Sequence, residues 1–300
     1  MNLYHKLNNK VIPVNKEKGI TTFDAIRKLK RELGGGKIGH AGSLDPIATG
    51  LILILTGIAT KLSGYLMDLP KVYISDIKLG EATDTQDASG EVIERGDWEK
   101  ISTGDIEGVL PRFTGKRMQM PPMYSALKHG GKPLYKLARK GKKVDRKARE
   151  VHTESIELLS ADLPLFRIRV KCSRGLYLRT LSEEIGRSLG VPSHMTGLTR
   201  VSVGHFDIEE AISSGEFDRL KDKEDPGINP AEALRHLKQV VMSGPQAADL
   251  LNGRAPTVPV DTEVSVGELV RFLRPDGSLG GIGEIGPGRI ARIRRVLIYE

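Results

Sequence analysis

The residues best able to do chemistry lie in Gly39-His40-Ala41-Gly42-Ser43-Leu44-Asp45-Pro46, a glycine-rich stretch carrying a histidine and one ionisable carboxylate. An apolar run, Ile47 to Leu55, follows at once, interrupted only by Ala48, Thr49 and Gly50. A loop held by a rigid buried element is where catalytic groups tend to sit. Gly39 and Gly42 permit backbone angles that a side chain would forbid and let a ligand approach closely. Pro46 biases Asp45 toward an extended conformation, which restricts where its carboxylate can point. Such a carboxylate can act as a nucleophile, or it can do no more than shape a turn. Metal binding by His40 with Asp45 is disfavoured, because no further ligands cluster nearby in the sequence.

Other chemistry is thinly represented. The sequence has no Walker loop, no dinucleotide fingerprint following a strand and no clustered Cys/His ligands, so neither a nucleotide cofactor nor a metal is expected. Cys172 is the one cysteine and ends an alternating run, Phe166-Arg167-Ile168-Arg169-Val170-Lys171, which suits a buried small hydrophobe better than a nucleophile. A lone cysteine forms no internal disulfide and fits a reducing cytoplasm. The N-terminus shows no apolar core of a secretory signal, and no stretch approaches the roughly 20 apolar residues of a membrane span. A cytoplasmic protein is therefore expected.

Charge is concentrated rather than spread. The net charge is +8, from 46 Lys and Arg against 38 Asp and Glu. Between Lys128 and Glu150 stand ten basic residues, among them Lys128, Lys132, Lys136, Arg139, Lys140, Lys142 and Lys143, opposed only by Asp145 and Glu150. That segment holds the whole excess; the remainder is balanced at 36 of each sign. This favours a polyanion-binding arm over a merely solvated face, and Tyr135 within it could stack on a base.

The positioning elements follow from periodicity. Val11 to Val14 reads as a short strand. Thr21 and Thr22 are candidate N-caps for a helix with Phe23, Ile26, Leu29 or Lys30 and Leu33 on one side, closed by Gly34-Gly35-Gly36. A short helical stretch around Thr60–Met67 precedes a strand from Lys71 to Gly80, and Thr83 to Gly90 is a polar turn cluster leading to a strand at Glu91–Glu94. Val151–Leu159, Leu165–Cys172 and Leu198–Phe206 read as further strands, and Leu181, Ile185 and Leu189 mark a helix stopping at Gly190. Uneven strand spacing argues for an α+β fold rather than a doubly wound sheet. Beyond about Gln239, glycine-rich turns separate short apolar strands such as Val264-Ser265-Val266 and Val296-Leu297-Ile298, the texture of a small β-barrel or sandwich-like module.

Taken together these pieces resemble the TruB family of bacterial tRNA pseudouridine synthases. Gly39 to Pro46 with Ala48-Thr49-Gly50-Leu51 is similar to the family's catalytic loop. Lys71-Val72-Tyr73, then Leu79-Gly80 and Thr83-Asp84-Thr85-Gln86-Asp87, is similar to its next block. Pro121 to Lys128 and the basic segment behind it, about 122–150, resemble its RNA-gripping insertion. Cys172 to Thr180 and Leu198-Thr199-Arg200 complete the set. The resemblance implies a mixed, largely antiparallel sheet flanked by helices over residues 1–238, and a PUA-like RNA-binding module over 239–300. One departure stands out: Asn15-Lys16-Glu17-Lys18-Gly19 replaces an aspartate-lysine-proline-x-glycine run, and the lost proline should loosen that turn.

The resemblance also implies roles. Pseudouridine formation breaks the N1–C1′ bond of a uridine, turns the uracil over and joins C5 to C1′, an isomerisation that requires no redox cofactor. Asp45 becomes the nucleophile and Arg179 its ion-pair partner, which opposes the tendency of a buried carboxylate to be neutralised. Tyr73 and Tyr177 would stack on and orient the base, with Tyr73 also a candidate for removing the C5 proton, and Leu198 would form an apolar wall. His40 would wedge into the gap left by the extruded base, at a cost of a few kcal/mol of stacking. The substrate so implied is the T stem-loop of tRNA at position 55, and a monomer without an obligatory protein partner is expected. The alternative, a non-catalytic tRNA-folding helper, has no use for an anionic Asp45 facing phosphates.

Overall fold

The computed structural model describes residues 7–125, 127–138, 140–142, 144–222 and 225–299. Its main feature is a ten-stranded mixed sheet. The order across it is Ile212–Ser213, Val11–Lys16, Thr49–Thr56, Ser193–Val203, Lys71–Leu79, Leu165–Cys172, Arg149–Asp162 and Gly115–Gln119, with Ile38–His40 and Phe206–Asp207 attached to the third and fourth. Two pairings are parallel, Val11–Lys16 with Ile212–Ser213 and Thr49–Thr56 with Ser193–Val203; the rest are antiparallel. The second parallel seam is bonded only at Thr49↔Thr199 and Gly50↔Arg200. The two strands part immediately beyond it, and the Gly39–Pro46 loop lies there.

The run Leu51-Ile52-Leu53-Ile54-Leu55 shows why that strand is central. Leu51, Leu53 and Leu55 enter one apolar cluster with Val11, Val203 and Phe206, while Ile52 and Ile54 enter another with Ala25, Leu29 and Leu44. A strand covered on both faces is apolar throughout, because period-two alternation sends its side chains into two cores. In Leu165–Cys172 the alternation is one-sided: Phe166, Ile168, Val170 and Cys172 are buried, and Leu165, Arg167 and Arg169 are exposed. Burial pushes the Cys172 thiol up to about 12, so it stays protonated and unreactive in the fold.

The first helix spans Thr22–Glu32 and is capped by Thr21, whose hydroxyl accepts from the Asp24 amide while the Asp24 carboxylate accepts from the Thr21 amide. Its buried side is Thr22, Ala25, Ile26 and Leu29. Phe23, expected on that side, instead points outward and is 63% exposed. The expected strand pattern at Val151–Leu159 extends to a 14-residue strand, Arg149–Asp162.

The C-terminal part differs from an all-β module. Its sheet has four strands, Lys238–Val241, Leu269–Leu273, Leu279–Ile285 and Ala291–Val296, with the first pair parallel. A helix, Gly244–Leu251, packs on it, started by a Ser243–Gln246 capping box. Val264 to Val266 is not a strand; the Ser265 amide donates to the Glu268 carboxylate and turns the chain into Leu269–Leu273. Leu273, Leu279, Ile282 and Leu297 share the apolar cluster of Val11, Leu51 and Phe206, so this sheet is packed onto the main one by a continuous core.

Candidate active site

The loop bearing Asp45 is tied down at both ends. The Ala41 amide donates to Leu53 O (2.9 Å), and the Ser63 hydroxyl to His40 O (2.8 Å). Thr22 Oγ1 accepts from the Leu44 amide at 3.0 Å. The Ala48 amide donates to Asp45 O at 3.1 Å, and the Gly19 amide to Pro46 O at 2.8 Å. The last bond joins the loop to the Asn15–Gly19 turn. That turn is held despite its missing proline, because Lys16 is fully buried and its Nζ donates to Glu17 O and Ile20 O, both at 2.9 Å. Burial draws the Lys16 ammonium down to about 8, with the nearby Asp45 charge opposing.

Asp45 is half-exposed and faces a buried guanidinium. Arg179, in the first turn of the Leu178–Ser188 helix, places Nη2 at 3.0 Å from Asp45 Oδ2. The same guanidinium donates to Thr85 O (3.1 Å) and Tyr124 O (2.6 Å), and its Nε lies 3.6 Å from Asp87 Oδ2. It therefore joins the Asp45 loop, the 83–90 turn and the root of the basic arm. Asp87 is itself buried and accepts from Thr85 Oγ1 (2.8 Å) and the Ser89 amide (3.0 Å). A guanidinium can serve several acceptors at once because its five N–H groups form a rigid planar fork.

Around this pair is a cavity of about 180 Å³, lined by Ser43, Leu44, Asp45, Tyr73, Ser125, Leu176, Tyr177, Leu178, Arg179 and Leu198. Burial raises the Tyr73 hydroxyl above its ordinary value, with Arg200 opposing, and raises that of Tyr177, with the charges of Arg149 and Arg179 opposing. Both phenols are thus neutral, flat and polar at one edge. A wider groove of about 530 Å³ opens on the outer side of Asp45, between Phe23 and Thr22 on one wall and Tyr124, Ser125 and Tyr135 on the other.

Five of the expected site residues, Asp45, Tyr73, Tyr177, Arg179 and Leu198, thus line one cavity. His40 does not line it. It sits at the end of the Ile38–His40 strand with its ring edge-on to Phe23, centroids 5.5 Å apart at 85°. Burial lowers its pKa, with Arg200 adding to the effect, so the imidazole is neutral near pH 7. On the arm, Lys128, Lys132, Lys136, Lys140 and Lys142 are exposed and make no ion pair among the described residues. Arg139 and Lys143 lie outside the described residues.

Three residues had no role from sequence reasoning. Asp87 was visible only as the second aspartate of the Thr83–Asp87 block. Lys16 was visible as the lysine of the altered turn. Arg200 is buried beside Tyr73, its cross-strand partner, and donates to Leu51 O (2.6 Å) and Gly42 O (3.1 Å), which ties the sheet to the loop. Gly50 makes room for that strand: a Cβ there would lie 2.4 Å from Arg200 O.

Residues 30–178 match the TruB family pseudouridylate synthase, N terminal domain. The chain is 39% identical over 285 residues to tRNA pseudouridine synthase B of Geobacter sulfurreducens, covering 91% of this chain and 92% of that one. The chain belongs to the TruB family. A second relative, tRNA pseudouridine synthase B of Staphylococcus haemolyticus, is 41% identical over 257 residues, covering 82% of this chain and 84% of that protein. Among solved structures, a Cbf5-Nop10-Gar1 complex matches with TM-score 0.76 at 22% identity, covering 99% of this chain and 88% of that one. An H/ACA RNP bound to a substrate RNA containing 2′-deoxyuridine matches with TM-score 0.77 at 20% identity, covering 100% and 88%. These likenesses show a shared fold. Family membership brings pseudouridylate synthase chemistry to this chain.

Proposed function

We propose that this protein converts the uridine at position 55 in the T loop of tRNA to pseudouridine, with Asp45 as the nucleophile. The observation that carries this reading is the half-exposed Asp45 carboxylate paired at 3.0 Å with buried Arg179 at the mouth of a cavity that also presents Tyr73, Tyr177 and Leu198. Arg179 pairs with the Asp45 carboxylate and aims it, and covalent attack by a carboxylate divides a difficult exchange into two steps. Uracil leaves N1–C1′, turns over between the two tyrosines and the leucine, and rejoins through C5. Tyr73 is assigned to C5 proton removal. The C5 proton passes to solvent and the freed N1 takes one up, so the composition of the substrate is unchanged and the reaction as written uses no cofactor.

The reacting atoms of a base inside a folded loop are out of reach of Asp45, so the uridine must be extruded. His40, neutral and at the outer rim with Phe23, is assigned to the gap left behind. The lysines of the arm hold phosphates on the groove side, and recognition is by RNA shape and backbone. Residues 1–238 form the catalytic unit and 239–300 a PUA-like RNA-binding unit, with exposed Arg292 and Arg295 on its last strand. The protein acts in the cytoplasm as a monomer without a guide RNA or protein partner.

The test is tritium release from C5-labelled uridine in a T stem-loop transcript, with no cofactor or guide RNA added. Stoichiometric release at the target uridine supports the reading. Tight binding without release would leave only an RNA-folding helper.

A further inference from the structure

Phe23 is the residue that the proposed chemistry leaves without a task. The sequence has six phenylalanines; Phe113, Phe166, Phe206, Phe217 and Phe272 are buried, and Phe23 is 63% exposed. It stands in the first turn of a helix whose buried side is complete without it. An isolated exposed apolar residue needs no explanation, but this one is not isolated. Its ring lines the groove that also holds Asp45, Arg179, Tyr124 and Tyr135, and it meets the His40 ring edge-on. At Tyr135 the same groove reaches the segment whose lysines and arginines give the whole molecule its excess positive charge. An exposed aromatic face beside a basic segment is the arrangement that takes a base and its phosphate together.

We propose that Phe23 is a nucleobase-stacking residue: its exposed face takes a base of the substrate RNA next to the uridine that enters the Asp45 cavity. The inference rests on the RNA-isomerase reading of this site and adds a second base-binding position to it. His40 and Phe23, held perpendicular, then form a corner in which one ring fills the space of the departed uridine and the other caps its neighbour. Stacking on a phenyl ring is sequence-tolerant, because every base has a π-face, so this position adds affinity and orientation rather than base choice.

The experiment compares Phe23→Ala, Phe23→Leu and Phe23→Trp on a T stem-loop substrate. Because Phe23 is outside the core, all three should fold with unchanged melting temperature. Stacking requires KM to rise about tenfold in Phe23→Ala and nearly as much in Phe23→Leu, with Phe23→Trp close to the parent and most of the loss in KM. In an Asp45→Asn background, 2-aminopurine placed in turn on either side of the target uridine should be quenched on binding at one position. That quenching should be lost with Phe23→Ala. Full parental turnover with unchanged KM and unchanged quenching in Phe23→Ala overturns the stacking role and leaves the proposed function standing. Phe23→Leu behaving like the parent also overturns it, since aliphatic packing would then suffice. Absence of turnover in the parent protein overturns both readings.

Discussion

Asp45→Asn is nearly isosteric, but an amide is a poor nucleophile and no longer pairs with Arg179 as an anion. Turnover should become undetectable while affinity for the T stem-loop stays within about tenfold, or ~1.4 kcal/mol. Loss of a negative charge beside the RNA backbone could only favour binding. Rapid-quench assay of pseudouridine, with deamidation back to aspartate excluded by mass, decides the matter; substantial product from intact Asp45→Asn protein removes Asp45 as nucleophile. At this scale the sequence made the loop legible, because glycines and an Asp-Pro pair ahead of an apolar run are local signals. The second carboxylate facing Arg179 was not legible as such. Asp87 meets Arg179 across 92 residues of chain, and nothing local marks which of several aspartates in a polar turn is folded inward. Arg200 was hidden for a related reason: a basic residue in a strand reads as exposed, and only the fold shows carbonyls waiting for it in the interior.

Among the elements, the arm invites a charge test. Changing Lys136, Lys140 and Lys142 to glutamate should weaken tRNA binding and reduce the slope of log affinity against log salt, since each phosphate contact releases counterions. Filter binding between about 50 and 200 mM salt measures it, and an unchanged slope would exclude the arm as a phosphate clamp. The helix Thr22–Glu32 shows where reading periodicity goes astray. Of the expected stripe Phe23, Ile26, Leu29 or Lys30 and Leu33, the residues Ile26, Leu29 and Leu33 are buried with Thr22 and Ala25, and Phe23 stands outside it; phenylalanine weighs more than threonine or alanine in any apolar count. The Gly244–Leu251 helix was missed because surrounding Gly and Pro signals read as turns. Its Ser243-Gly-Pro-Gln246 start is nonetheless a capping box with proline in the first turn.

At the scale of the molecule, the junction between the main sheet and the C-terminal sheet is sensitive to acid. His205 stacks on Phe206 with ring centroids 4.1 Å apart, and its Nε2 is buried without a hydrogen-bond partner. Burial, with Arg235, His236 and Arg271 adding to it and Glu232 opposing, lowers its pKa to about 4 from 6.5. Between those values the unfolded chain binds a proton that the folded chain refuses. Stability is therefore full above pH 6.5 and falls as the pH drops toward 4, by at most about 3 kcal/mol from this group. His205→Phe should keep the stack and flatten that part of the profile, read as melting temperature against pH from 7 to 4. An equal acid loss in His205→Phe would assign the sensitivity to other groups. The continuous core across this junction was beyond sequence reading. Leu273, Leu279 and Leu297 look like the inner face of an independent module until the fold shows them packed on Val11 and Leu51.

The lone thiol makes the molecule its own stopwatch. Cys172 is buried in the apolar core against one face of the sheet, and no reagent can reach its sulfur without opening that core. Labelling by an aromatic disulfide under native conditions should therefore be far slower than for a free thiol and should track opening of the sheet centre. Bound RNA should slow it in proportion to binding affinity, because a ligand that selects the folded state lowers the open population. The same silence leaves the surface free for spectroscopy: a single cysteine introduced by Lys142→Cys would be the only fast-reacting site, so a dye there reports the arm alone as it meets its substrate.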